Sequence, residues 1–533
     1  MRVVLFSALS ICGAALAQSS VDSYVAKELP IAKAGLLANI GSTGSKSQGA
    51  KAGIVIASPS KVDPDYVFTW VRDSSLVFKV IIDQFTSGED TTLLGQIQNF
   101  ITAETALQQV SNPSGTISTG GLGEPKFEID GTAFTGSWGR WPRPPIHLHD
   151  RLANWLLKNT STTSEVLDTL WPAIKLDLDY VTASWNQTGF DLWEEVQSSS
   201  FFTTAVQHRS LREGAALAGA LGQDGGAYTE QADNALWYIT ANTGGGRSGK
   251  DANTALASIH TFDPEAGCST LIPSARFTLS TTGIAANAAV ATGRYPEDVY
   301  FGGNPWYLAT AAVAEQLYDA LFVWNAQGSL EVTPISLAFF RQFDSNVAVG
   351  TYASSTPTFH LPHRSRFLEV HAKYTPADGG LAEQFDRNNG TPLSAVDQTW
   401  SYAAALTVFA AREGKAPASW GAKGGPQGAV VSTTFNVVAE TVLGEDIYLT
   451  GSVDALMNWS PENALKLNPD NYPTWSGELY HKRSLWTSPA SALIEYKYIR
   501  KVNGQFEGLG ESDPNNQVTT PATGPFVLND NWR

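Results

Sequence analysis

Cysteine is nearly absent from this chain of 533 residues, which holds two, Cys12 and Cys268. Cys12 falls in an N-terminal stretch that reads as a secretory leader and leaves with it. Cys268 then has no intramolecular partner. No disulfide framework can hold the fold, so stability has to come from core burial. Positive charge is scarce as well. Lys and Arg total 35 against 51 Asp and Glu, a formal net charge of −16. Binding a phosphate backbone needs a basic face, which argues against a nucleic-acid partner. Acidity of this size reads as solubility. Past the N-terminus no apolar run is long enough to span a bilayer, so no membrane attachment is expected. His147 and His149 sit close in sequence without a third ligand, and no metal site is expected from them.

The leader itself has one early positive charge (Arg2), a short apolar core and the ending Ala15-Leu16-Ala17. That is the pattern of a signal peptide over residues 1–17, with cleavage expected after Ala17 and a secreted, extracellular product. Sequons for N-glycosylation start at Asn159, Asn186, Asn389 and Asn458; Pro392 and Pro461 directly follow the last two and make them poor acceptors.

Aromatic residues are abundant, with 16 Trp. Two acidic spots stand among them: Asp191-Leu192-Trp193-Glu194-Glu195 and Ala382-Glu383-Gln384-Phe385-Asp386. Cleaving a glycosidic bond takes two carboxyl groups, one to donate a proton to the leaving oxygen and one to activate water or attack directly. Alone, a Trp-Glu-Glu reads more simply as a helix with a solvated acidic turn.

Residues from about 20 to 420 read mostly as helices joined by Gly- and Pro-rich loops. Asn304-Pro305-Trp306 opens one, with Asn304 as cap and Pro305 in the first turn; Val313, Leu317, Leu321 and Trp324 recur at helical spacing, and Gly328 is placed to end it. Ala205–Leu221 and Trp400–Arg412 show similar patterns. After Trp420 a linker-like Gly421–Pro426 stretch leads to period-two alternation, with Phe435, Val437 and Ala439 on one face. Ile447–Leu449 and Ile494–Ile499 are further strand candidates. A helical domain followed by a β-sandwich of about a hundred residues is expected.

Ordered motifs over most of the chain carry a resemblance. They are Gly53–Pro59, Tyr66–Asp73, Gly121–Phe127, Gly136–Arg140, Asp191–Glu195, Arg247–Asn253, Gly293–Asp298, Gly303–Trp306 and Asp397–Tyr402. Together these resemble glycoside hydrolase family 15, the fungal glucoamylases. The resemblance implies a mainly α protein with an (α/α)6 barrel catalytic domain over residues 18–420. It also implies an exo-acting, inverting glucan 1,4-α-glucosidase that frees β-D-glucose from non-reducing ends of starch and malto-oligosaccharides. Glu194 matches the general acid, which must carry its proton, and Glu383 the general base, which must be ionised. Inversion leaves room for a water, a carboxyl separation of roughly 6.5–9.5 Å. Tyr66, Trp70, Arg72, Asp73, Trp138, Trp193, Glu195, Arg294, Tyr300, Trp306 and Trp400 match substrate-binding positions. Glu194 and Glu195, read as helix neighbours, point in different directions and take different roles. Acid–base hydrolysis needs no cofactor, and none is expected. A monomer is expected.

After a short linker at 421–430, residues 431–533 resemble a starch-binding module of carbohydrate-binding module family 20, a small antiparallel β-sandwich. Gly444–Ser452, Asn458-Trp459, Glu495–Lys497, Asp513–Asn515 and Asn531-Trp532 carry this second resemblance. Trp459, Lys497 and Asn515, with Glu495, match one sugar site; Tyr448, Asp470, Tyr472 and Trp475 match a second. Three places depart from the family pattern. Trp141–Asp150 replaces an Arg-Asp-Gly-Pro-Ala-Leu-Arg segment. Thr356–Gly379 has lost the amphipathic helix expected before the base, and both segments read like a shifted frame or retained intron. A second Trp of the first sugar site is missing near Phe506 or Gly510. Two other readings stay open: a hydrolase of another α-glucoside, and a starch-binding protein with an impaired barrel.

Overall fold

The structure is a computed structural model. It describes residues 4–136, 168, 170–198, 200–241, 251–266, 288–333, 336–356, 359, 365–421, 430–452, 456, 459–461, 464–482, 493–519 and 526–533. Trp138, His147, His149, Asn159, Cys268 and Asn458 lie outside the described residues, as does all of 141–150. The chain forms two compact units, one of residues 1–173 and 250–420, the other of 174–249 and 421–533.

The first unit is helical. Its first helix runs Val4–Ala38, through the expected cleavage point. The helices Tyr307–Gln327 and Thr399–Arg412 pack side by side, and Val4–Ala38 and Val71–Thr86 lie against the second of them. Ala-rich faces allow this close approach: Ala309, Ala311, Ala312, Ala403 and Ala405 are all buried. Val313, Leu317, Leu321 and Trp324 are buried as their spacing predicts. Gly328 ends its helix in the left-handed region at φ 72°, where a Cβ would be strained. Asn304 does not cap this helix. The cap position is Trp306, and the Asn304 amide instead donates to the Phe301 carbonyl (2.8 Å) and to Gln384 Oε1 (3.4 Å). Asn304 sits two residues too early for an N-cap bond, so its amide ties the loop to the distant strand Gln384–Phe385.

Short strands fix the loops at the helix ends. β1 (Thr69–Trp70) pairs with β2 (Lys126–Phe127), and β5 (Ser329–Val332) with β6 (Gly350–Ala353). β7 (Gln384–Phe385) pairs with β8 (Pro392–Leu393). The helix expected to be lost within Thr356–Gly379 is present as Arg366–Tyr374. Phe367, Leu368 and His371 form its buried side, and Tyr24 hydrogen-bonds His371 Nδ1 at 2.7 Å. Three inward side chains in little more than two turns suffice to dock it, although no long apolar period announces it.

In the second unit the helices Phe201–Ala220 and Gly226–Ala241 pack together. Ser200 caps the first, accepting from the Thr203 N–H. A tight hairpin joins β3 (Gly189–Phe190) to β4 (Gln197–Ser198). The rest is strands: β9 (Val430–Val438), β10 (Glu445–Gly451), β11 (Leu465–Lys466), β12 (Asn468–Asn471), β13 (Thr474–Lys482), β14 (Leu493–Val502), β15 (Gln505–Gly510), β16 (Asn516–Thr519) and β17 (Phe526–Asn531). One sheet runs β11-β10-β14-β15, with β16 also on β14; the other runs β12-β13-β9-β17. All pairs are antiparallel except β17 with β9, which is parallel. Phe435 on β9 meets Tyr496 on β14 edge to face at 5.2 Å, joining the inner faces of the two sheets. Phe435, Val437 and Ala439 are buried, as their alternation predicts.

Candidate active site

Glu383 occupies the residue before β7 and is 1 % exposed. Its N–H donates to the Ala395 carbonyl (2.8 Å), which fixes the backbone. Its carboxylate accepts from Ser394 Oγ (2.5 Å) and from Gln384 Nε2 (2.9 Å), both at the same oxygen, Oε2. The Tyr66 phenol faces this carboxylate and favours its ionised form. Burial pushes the Glu383 carboxyl above the usual carboxylate range. The hydrogen bonds from Ser394 and Gln384, then Tyr66 and the charge of Arg294, pull it back without cancelling that rise. The same burial, then the nearby Glu383 charge, pushes the Tyr66 phenol well up.

A cation–aromatic cluster surrounds this group. Arg294 is buried and bidentate on Asp298, with Nε to Oδ2 at 2.9 Å and Nη2 to Oδ1 at 2.6 Å. Its guanidinium carbon lies 5.0 Å from the Tyr300 ring centre and 5.2 Å from that of Trp306. Tyr300 OH and Tyr66 OH are 3.3 Å apart. Trp306 bridges to Gln384, so the loop before the long helix is laced to the strand that directly follows Glu383. Arg72 pairs with the buried Asp73 (2.9 Å) at the start of the helix Val71–Thr86 and lies over the Trp400 ring at 5.3 Å. Trp70 meets Tyr66 edge to face at 5.4 Å. Among the substrate positions expected from sequence, Tyr66, Arg294, Tyr300 and Trp306 thus gather at Glu383, and Arg72, Asp73 and Trp400 form a second group. Trp138 lies outside the described residues.

Trp193, Glu194 and Glu195 belong to the second unit. They lie on the turn between β3 and β4, not on a helix. The buried Asp191 builds this turn: its Oδ1 accepts the N–H of Glu195 (2.8 Å) and of Val196 (2.9 Å). The Glu194 N–H donates to the Asp191 carbonyl (3.0 Å). Glu194 takes φ 65°, a left-handed conformation rare for a residue with a Cβ and one that costs of order 1–3 kcal/mol. Trp193 is buried, Glu194 half-buried and Glu195 exposed, so the two glutamates do face different surroundings. The residues that hold the two carboxylates, Asp191 and Ser394, were not singled out from sequence. The only signal was an acceptor four or five residues before the N–H groups it takes, and a hydroxyl eleven residues after Glu383.

In the β-module, Trp459 is partly exposed, and Lys497 is ion-paired with Asp513. The Asn515 amide donates to Glu495 Oε2 (3.1 Å), and Gln517 holds the other oxygen (2.9 Å). Asp470 is exposed and accepts from Asn468 (3.0 Å). Tyr472 is 52 % exposed, with its hydroxyl on the Thr441 N–H (3.2 Å). Tyr448 is half-buried under the Lys501 ammonium (4.3 Å), and burial raises its phenol to about 12. Trp475 departs from the expectation. It is 3 % exposed, opposite Val437 in register, and donates Nε1–H to the Ala439 carbonyl (3.1 Å). It is a core residue, because the strand register turns it inward with Val437. Val442 and Leu443, next to the Thr441 that holds Tyr472, are exposed apolar residues the sequence reading passed over.

A helical domain with a buried carboxylate ringed by arginine and aromatics, followed by a β-module, is the build of a polysaccharide-cleaving hydrolase. The sequence profile of glycosyl hydrolases family 15 matches residues 30–410, and that of a starch binding domain matches 430–529. The chain belongs to glycosyl hydrolases family 15 and carries a C-terminal starch-binding domain. It is 52 % identical to Glucoamylase-1 of Schizophyllum commune, over 99 % of this chain and 99 % of that one. It is 41 % identical to a glucoamylase of Neurospora crassa, over 96 % of this chain and 94 % of that one. The solved family 15 glucoamylase from Hypocrea jecorina superposes with a TM-score of 0.71 at 42 % identity, covering 96 % of this chain and 100 % of that chain. No helix among the described residues is long and apolar enough to cross a membrane.

Proposed function

We infer that this protein is an exo-acting glucan 1,4-α-glucosidase that inverts the anomeric carbon and releases β-D-glucose from the non-reducing ends of starch and malto-oligosaccharides. The observation that carries the reading is the setting of Glu383. It is a buried carboxylate whose Oε2 accepts from Ser394 and Gln384, and its other oxygen, Oε1, is the atom to activate water. Glu194 serves as the general acid on the opposite face of the bond. Arg72, Asp73, Arg294 and the rings of Tyr66, Trp70, Trp138, Trp193, Tyr300, Trp306 and Trp400 orient the terminal glucose, and Glu195 binds the next residue. The catalytic domain is assigned to residues 18–420 and the starch-binding domain to 431–533, joined by 421–430. Trp459, Lys497, Glu495 and Asn515 form one starch site; Tyr448, Asp470 and Tyr472 form another. The enzyme is read as a secreted monomer, cleaved after Ala17. Asn186, exposed at a turn, is the best-placed described glycosylation acceptor.

The test is product analysis on soluble starch and on a malto-oligosaccharide labelled at its reducing end. Glucose alone from the outset, with label retained in the shortening chain, is expected. Early maltose, or short labelled fragments that appear before the chain has shortened one residue at a time, contradict exo-action. Adsorption to raw starch with no glucose release from wild type or Glu383→Gln leaves only a binding protein.

A further inference from the structure

We propose that Lys126 is a positioning residue for the general base, acting through a ladder of aromatic rings that ends on Glu383. The proposal rests on the reading of Glu383 as the base. Lys126 opens β2 directly opposite Trp70 and is 7 % exposed. Its Nζ lies 3.9 Å from the ring centre of Phe68, 4.0 Å from that of Phe134 and 4.6 Å from that of Trp70. Lysine is almost never this deeply buried without compensation, and here three ring faces supply part of it. A cation desolvated among aromatic quadrupoles is held more firmly than one at the surface.

The rings continue the contact. Phe134 meets Phe68 at 5.1 Å and 77°, Phe68 meets Trp70 at 6.1 Å and 87°, and Trp70 meets Tyr66 at 5.4 Å and 63°. All are edge-to-face, a geometry that fixes ring orientation. The Tyr66 hydroxyl, 3.3 Å from that of Tyr300, then faces the Glu383 carboxylate. Lys126 thus clamps one end of the ladder and the base stands at the other. The groups facing Glu383 are Ser394, Gln384, Tyr66, Tyr300 and Arg294.

Lys126→Met keeps the stem and removes the charge. On maltose, kcat is expected to fall about tenfold or more while KM changes less than about twofold. The acid limb of the pH profile moves to higher pH, because Tyr66 favours ionised Glu383 and its placement is loosened. Lys126→Arg recovers most of the loss. In a Trp70→Phe background the Lys126→Met effect shrinks, since the two share one path. A lower Tm with kcat and the acid limb unchanged makes Lys126 merely structural and overturns the proposal. If Lys126→Met does not fold, Phe134→Leu opens the cage from its far side. The same limb shift is expected, and an unmoved limb overturns the proposal. If wild type releases no glucose, the reading of Glu383 fails instead. The near-UV circular dichroism of Lys126→Met then decides the ladder: changed Tyr and Trp bands support it, and an unchanged spectrum overturns it.

Discussion

The structure fixes Glu383 through contacts on its carboxylate and Glu194 through the backbone of its turn. Glu383 is gripped by its side chain, with Ser394, Gln384 and Tyr66 on the carboxylate and burial around it. Glu194 is placed by its backbone, at φ 65° in a turn whose N–H groups converge on Asp191. The difference fits the two roles proposed. A base has to stay ionised in a dry site, which takes donors aimed at its oxygens. An acid has to reach the leaving oxygen, and a rigid turn fixes where its carboxyl is presented.

The largest effect expected is from Glu383→Gln. Loss of the base should cost about 10²–10⁴-fold in kcat, with adsorption to raw starch unchanged. A fall of less than tenfold would remove Glu383 from that role. Asp191→Ala tests the other grip. It leaves two turn N–H groups without their acceptor, at about 1–3 kcal/mol. We expect kcat lower by about 10- to 100-fold at every pH, with Asp191→Asn recovering much of it. A shift of one pH limb alone would mean Asp191 works by charge and not by shaping the turn.

Ser394→Ala separates the two mechanisms. The Ser394 donor lowers the Glu383 carboxyl, so its loss raises a group already pushed up by burial. The base is then protonated at higher pH, and the acid limb of kcat/KM moves to higher pH while the alkaline limb stays. Movement of the alkaline limb would contradict the assignment. The smallest effect on catalysis is expected in the β-module. Trp459→Ala should weaken granule adsorption with little change in Tm. Trp475→Ala should destabilise the module by about 3–5 kcal/mol. The reverse pattern would return Trp475 to the sugar site.

Long helices were legible because burial repeats along them. Thr399–Arg412 differs by one residue from the expected Trp400–Arg412, and Tyr307–Gln327 stops at Gly328 as read. Short elements were not. The helix Arg366–Tyr374 is too brief to establish a period, and the Asp191–Val196 turn depends on one side chain folding back on two N–H groups. Asn304 looked like a cap because residue type was judged without knowing where the helix starts. Trp475 looked like a binding ring because it was matched to the second sugar site without strand register, and register alone decides which face a residue takes. Tyr66, Arg294, Tyr300 and Trp306, which gather at Glu383, came only from motif matches, whereas Glu383 also stood out as an acidic residue among aromatic and amide neighbours. Together they span more than 300 positions in the sequence, and no local pattern links them.

The most direct test is the anomer of the first glucose freed from soluble starch, followed by proton NMR before mutarotation. A water-activating Glu383 predicts β-glucose appearing first, and its disappearance in Glu383→Gln. Initial α-glucose would mean that a carboxylate attacks the sugar directly, and would contradict the role given to Glu383.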